Sequence, residues 1–146
     1  MFDFKYFTPT KVVFGKNTEA QVADLIKEFG GTKILIHYGG GSVIRSGLLK
    51  RVTDTLDAAG ISYVTLGGAV PNPHLGLVYE GIELCKKEKV DFLLAVGGGS
   101  AIDSAKAIGY GVAMKAMYGI STTISVRLKD AFLSALSLPL LLREVR

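Results

Sequence analysis

The tetrapeptide Gly-Gly-Gly-Ser occurs twice, at Gly39–Ser42 and at Gly97–Ser100. Each copy follows an apolar run, "KILIHY" in one case and "VDFLLAV" in the other, and each precedes residues at helical spacing. The first turn of a helix leaves N–H groups unpaired and carries the positive end of the helix dipole, so it attracts phosphate. Glycine lets the backbone approach a ligand with no Cβ in the way, and serine adds a hydroxyl donor. One such corner serves equally well as a tight turn or a close helix–strand contact. Two in matching settings favour a phosphate-bearing ligand.

The corners are not of the two commonest kinds. No lysine follows either one where a P-loop requires it. In the second, Gly97 and Gly99 are followed by Ile102 where the third glycine of Gly-x-Gly-x-x-Gly would stand. The strand "ISYVTLG" ends at Gly67 and Gly68, not at an acid that could hold a ribose hydroxyl. His37 and His74 are the two histidines, with no metal-ligand spacing between them, and His37 reads as a strand-end residue rather than a ligand. Cys85 falls on the apolar stripe of a helix and reads as core.

The elements that must position these corners follow from periodicity. "FKYFTPTKVVFG" reads as two short strands around a Thr-Pro-Thr turn, an amino-terminal β-hairpin. Asn17 is the expected cap of a helix whose face carries Val22, Leu25, Ile26 and Phe29, ended by Gly30 and Gly31. "KILIHY" is a strand, Leu48, Leu49, Val52 and Leu56 mark a helix closed by Gly60, and "ISYVTLG" is the next strand. "PNPHLG" is a loop, because two prolines forbid regular structure. Val78, Ile82 and Cys85 mark another helix, then "VDFLLAVG" a strand and "SAIDSAKAIGYG" a last helix. Apolar strands alternating with amphipathic helices predict an α/β domain, a Rossmann-like parallel sheet with helices on both faces. Right-handed crossovers put both corners at the carboxyl edge of that sheet, where open α/β sheets bind ligands.

Composition narrows the partners. With 146 residues, 49% hydrophobic and 21% charged, the chain can bury a core of one domain. Most of its net charge of +4 falls after Gly111, in Lys115, Arg127, Lys129, Arg143 and Arg146 against Asp130 and Glu144. The remainder is nearly neutral and has no basic stripe for nucleic acid. A single cysteine allows no internal disulfide and fits a reducing compartment, and "MFDFKYFTPT" lacks the pattern of a secretory signal, so a cytoplasmic location is expected. The tract "AFLSALSLPLLL" is short of the roughly 20 residues of a membrane helix, and Pro139 interrupts it.

"PNP" at Pro71–Pro73, "GIELCKKEKVDFLLAVGGGSAIDSAKAI" and "TPTKVVFGKNT" together resemble the amino-terminal domain of the iron-containing alcohol dehydrogenase family. "YGGGSV" at Tyr38–Val43 resembles its butanol dehydrogenase-like, NAD(P)H-dependent aldehyde reductase branch. The resemblance covers Met1 to about Val112. It implies hydride transfer between a nicotinamide dinucleotide and a primary alcohol or aldehyde, with iron, or zinc in some members, polarising the substrate oxygen. It implies that Gly98, Gly99 and Ser100 embrace the cofactor diphosphate with Asp103 close by, that Gly39, Gly40 and Ser42 lie near the adenosine ribose, and that Asn72 borders the cofactor. An acid at the first corner would repel a 2′-phosphate, and its absence favours NADP(H) over NAD(H). The family's metal ligands, one aspartate and three histidines, belong to a helical second domain, and none of those positions is found in this sequence. The resemblance also suggests a homodimer through the amino-terminal strands.

These readings divide the chain into a dinucleotide-binding α/β domain, residues 1–112, and a divergent tail, 113–146, where the family would instead place a loop, a strand and a Gly-Ser-Glu turn. A helix is expected through "KDAFLSALSL" before Pro139, within a loosely packed tail. The expectation for the chain is a cofactor-binding half inactive on its own, or else a non-catalytic nucleotide-binding module that pairs with a separate chain. A membrane-surface role for the leucine-rich tail is disfavoured by Pro139. One choice of permitted codons for Ala113–Gly119 and Pro139–Arg146, read in a single shifted frame, spells Tyr-Glu-Gly-Asp-Val-Trp and then alanines followed by Gly-Ser-Glu. Both are family features, in family order, so the tail reads either as a frameshift product or as a genuine divergent segment that packs on the domain. Sequencing the encoding DNA should find those codons, and any others at Ala113–Gly119 would dispose of the frameshift.

Overall fold

The computed structural model of the chain describes residues 10–72 and 74–113 and the backbone of 134–139. After a 3-10 turn, Thr18–Gln21, the elements are α1 (Val22–Glu28), β1 (Lys33–Gly39), α2 (Gly41–Arg45), α3 (Leu48–Ala58), β2 (Ser62–Ala69), α4 (Leu75–Glu88), β3 (Phe92–Gly97), α5 (Gly99–Ala113) and β4 (Ser134–Pro139). The strands form one sheet in the order β2-β1-β3-β4, every neighbouring pair parallel.

Successive residues of a strand point to opposite faces, and both faces here are apolar. Ile34, Ile36, Phe92, Leu94 and Val96 pack on one side with Val22, Ile26, Val43, Val52 and Leu56 of α1, α2 and α3. Leu35, Leu66 and Leu93 pack on the other with Val78, Ile82, Cys85 and Ile108 of α4 and α5. Each fully buried side chain of this size contributes about 1.5–3 kcal/mol, which makes β1 and β3 the elements around which the rest assembles. All six residues of β3 are buried.

Several local expectations hold, and others are replaced. Gly30 with φ 78 ends α1 and Gly60 with φ 67 ends α3, as their freedom at positive φ allows. Asn17 has φ 57 and makes no capping bond; the Thr18 hydroxyl instead donates to the Gly15 carbonyl at 3.2 Å. The helix expected from Leu48 is preceded by the short α2, which Gly47 with φ 70 separates from α3. Of the amino-terminal hairpin, residues 1–9 lie outside the described residues and Thr10–Phe14 run without regular structure. Val12 and Phe14 are 79% and 88% exposed, so their side chains add little to the core of the described residues.

The tail contradicts its expected helix. Ser134–Pro139 is a strand, paired from Phe92↔Ser134 to Gly97↔Pro139, while 129–133 lies outside the described residues. The reason is the unsatisfied edge of β3, whose backbone donors and acceptors need a partner once both faces are buried. Pro139, which has no N–H to give, takes the last pairing position, where a sheet tolerates it.

Asp91 fixes how β1 and β3 begin. The amides of Thr32 and Lys33 each donate to its Oδ1 at 2.9 Å, the Thr32 hydroxyl donates to Oδ2, and its own amide donates to the Lys33 carbonyl at 3.0 Å. Burial pushes its pKa up, but the Thr32 hydroxyl and the two amides outweigh burial and hold the carboxyl below its ordinary value. Asp91→Ala should lower the unfolding free energy by about 1–2 kcal/mol, measured by urea denaturation. An unchanged midpoint would show that the clip contributes nothing.

Candidate functional site

The parallel alignment carries three strand ends to one edge. Gly39 closes β1 opposite Ala69, the last residue of β2, and Tyr38 pairs with Val96, immediately before Gly97. The chain leaves β3 through Gly97 at φ 144, a conformation that favours glycine. A Cβ on Gly97 would stand 3.3 Å from Ala101 Cβ, 3.6 Å from the Gly39 amide nitrogen and 3.7 Å from Val43 Cγ2. The two Gly-Gly-Gly-Ser corners therefore lie against each other, and the missing side chain at Gly97 lets them do so.

The second corner has the geometry of an anion seat. The Gly98 carbonyl accepts the N–H groups of Ala101 at 3.1 Å and Ile102 at 3.3 Å, which starts α5. The amides of Gly98, Gly99 and Ser100 come before those bonds, and none is given to a protein acceptor among the described residues. Nothing stands within 4 Å of a Cβ built on Gly98 or Gly99. Behind them α5 runs for 15 residues, long enough for its dipole to favour negative charge at this end.

In the first corner Gly40 is equally open, Ser42 is exposed, and the Arg45 guanidinium folds back over Gly41. Asn72 is exposed on the loop after β2 with φ 58, and Asp103 is exposed on α5. The structure thus brings Gly39, Gly40 and Ser42 together with Gly98, Gly99 and Ser100. Neither the Asn72 nor the Asp103 side chain makes a hydrogen bond to either corner, although Asp103 stands one helical turn after Gly99. A hollow of about 530 Å³ lined by Lys33, Asp57, Gly60, Ile61, Ser62 and Tyr63 opens at the opposite end of the strands, away from the glycines.

Directly beneath the corners lies a residue that the sequence placed only as a strand end. His37 is fully buried, with Nδ1 2.9 Å from the Leu66 carbonyl and Nε2 2.9 Å from the Ser104 hydroxyl. A carbonyl can only accept, so Nδ1 carries the proton, and Nε2 of the neutral ring accepts from Ser104. The imidazole ties β1 to β2 and to α5, the helix that begins at the second corner. Burial lowers its pKa, against the opposing effect of the Leu66 bond. Cys85 is buried too, and burial pushes its thiol up to about 11, which leaves it unreactive at neutral pH.

Iron or zinc has no seat among the described residues: no three His, Cys, Asp or Glu side chains gather, and both nitrogens of His37 are already bonded to protein. A dinucleotide fits better, because free amides and glycines open to the outside suit a diphosphate. No helix among the described residues is long and apolar enough to cross a membrane.

The family model described as "Iron-containing alcohol dehydrogenase" matches residues 9–139. The chain belongs to the iron-containing alcohol dehydrogenase family. It is 46% identical over 112 residues to NADH-dependent butanol dehydrogenase A of Clostridium acetobutylicum, covering 77% of this chain and 28% of that one. It is 41% identical over 108 residues to the NADPH-dependent aldehyde reductase YqhD of Escherichia coli, covering 74% and 27%. The crystal structure of NADH-dependent butanol dehydrogenase A from Thermotoga maritima superimposes with TM-score 0.75 at 44% identity, over 78% of this chain and 29% of that one. The chain thus spans just over a quarter of the length of these family members. An archaeal halo-thermophilic alcohol dehydrogenase superimposes with TM-score 0.81 at 25% identity over 94% of this chain and 36% of that one.

The family fold makes His37 testable. A histidine held neutral by the fold binds a proton more readily when unfolded, so its contribution is complete above the ordinary pKa of 6.5 and declines as pH falls from there toward the lower folded value. Between about pH 6.5 and 5 the wild-type unfolding free energy should fall by up to about 1.4 kcal/mol per pH unit, with His37→Gln showing a flatter profile. Parallel profiles for the two proteins would show that His37 does not titrate in this way.

Proposed function

We propose that this chain is the cofactor-binding half of an alcohol dehydrogenase of the iron-containing type, taking the dinucleotide used for hydride transfer between NAD(P)H and a primary alcohol or aldehyde. In this reading residues 1–112 are the dinucleotide-binding domain, and 113–146 are a divergent tail whose strand β4 extends the sheet. One observation carries the reading. Three consecutive amides, of Gly98, Gly99 and Ser100, stand without a protein acceptor among the described residues at the head of α5, beside a second glycine corner.

This reading divides the labour between the two corners. The amides at Gly98–Ser100 bind the diphosphate, with the α5 dipole behind them. Gly39, Gly40 and Ser42 receive the adenosine ribose one strand away, and Asn72 and Asp103 border the cofactor. The dinucleotide, when bound, supplies or accepts the hydride. His37 and Ser104 keep β1, β2 and α5 in place so that both corners keep their spacing. Turnover requires cofactor, metal and substrate at one point, and the described residues gather donors only for the first. The chain alone is therefore expected to bind nucleotide without reducing an aldehyde.

The test is a fluorescence titration with NADH and NADPH. Wild-type chain should bind, and Gly99→Val should weaken binding at least about tenfold, since losing one or two charge-assisted amide bonds costs that much. The open space around Gly99 lets the variant fold, so circular dichroism should be unchanged. Butanal with added iron or zinc should give no turnover. Wild-type chain that binds neither nucleotide would refute the reading.

A further inference from the structure

Arg45 ends the five-residue helix α2, and its side chain turns back along that helix. Its Nη1 occupies the space that a Cβ on Gly41 would fill, with Cζ 3.2 Å from that point. The guanidinium therefore lies across the first glycine corner, where only a glycine at Gly41 leaves room for it. Among the described residues it meets no carboxylate. Arg51, by contrast, bonds Glu19 at 3.0 Å and the Ser46 carbonyl at 3.0 Å, and Lys50 pairs with Asp54. No Asp or Glu occurs anywhere between Glu28 and Asp54.

The location gives this cation a specific object. In doubly wound nucleotide-binding sheets, the diphosphate sits at one strand–helix corner and the adenosine ribose at the end of the adjacent strand. There an acid takes the 2′-hydroxyl, whereas an arginine takes a 2′-phosphate. Here the free amides lie after β3, and the adjacent strand is β1, whose corner holds no acid and one folded-back guanidinium. A phosphate monoester matches the planar fork of arginine, which donates two parallel hydrogen bonds to it.

We propose that Arg45 reads the 2′-phosphate of the dinucleotide and makes this chain selective for NADP(H) over NAD(H). The proposal rests on the cofactor reading above and adds to it the residue that discriminates. The names of the family relatives leave the question open, since butanol dehydrogenase A is NADH-dependent and YqhD is NADPH-dependent.

The experiment titrates the full chain and its Arg45→Ala, Arg45→Lys and Lys50→Ala variants with NADPH and with NADH. Arg45→Ala should bind NADPH about tenfold to a hundredfold more weakly while NADH stays within about twofold, because only the phosphorylated cofactor loses a charge-assisted fork. Arg45→Lys should fall between, and Lys50→Ala, a neighbouring exposed cation already paired, should match wild type. The wild-type preference for NADPH should shrink as salt rises. If wild type binds both nucleotides and Arg45→Ala shifts them equally or not at all, or if wild type binds NADH alone, the Arg45 proposal fails and the cofactor reading stands. If wild type binds neither, the cofactor reading falls and Arg45 falls with it.

Discussion

Everything functional in this molecule depends on two buried parallel strands lying side by side in register. Ile34 to Tyr38 of β1 pair with Phe92 to Val96 of β3, so the two strands end at the same level. Each then turns into a helix through glycine, and the turns meet because Gly97 offers no side chain to the Gly39 amide and Val43. A shift of one residue in this register would reverse every side chain on β3 and separate the corners. The Asp91 clip at the strand starts and the apolar packing on both faces oppose such a shift.

The same arrangement explains how a nearly neutral domain can favour an anion. On the proposed reading, the attraction comes from oriented backbone amides and the α5 dipole, with Arg45 beside them, rather than from a field of lysines. The flanking architecture is built to leave these amides free. Gly98 and Gly99 are open to the outside, while His37 and Ser104 satisfy one another one layer below. The chain belongs to the iron-containing alcohol dehydrogenase family and spans only 28% of the length of its butanol dehydrogenase relative.

Much of this was legible from local pattern. Alternating apolar strands and amphipathic helices announced a parallel sheet, and both glycine corners were visible as interruptions between strand and helix. His37 reads from the sequence as a strand residue, and a signal for its buried pairing exists: it stands two residues after Leu35 and so shares its face, and Ser104 falls on the buried stripe of Ala101, Ala105 and Ile108. A polar residue on each of two facing apolar stripes suggests a buried pair. Leucine and alanine spacing in the tail suits a helix. The free edge of β3 made it a strand instead, and an edge's need for a partner is written in no short window of residues.

The sequence by itself determined the order of elements, the faces they bury and the residues at which each strand must turn. Those features follow from side-chain periodicity and from glycine's freedom, which act over a few neighbouring residues. Only the tertiary structure decided that β1 lies between β2 and β3, that the two corners touch, that His37 bridges to Leu66 and Ser104, and that Arg45 crosses Gly41. The first three of these join residues distant in the chain, and the last depends on which way one exposed side chain folds. They are set by how whole elements pack, which no local pattern encodes.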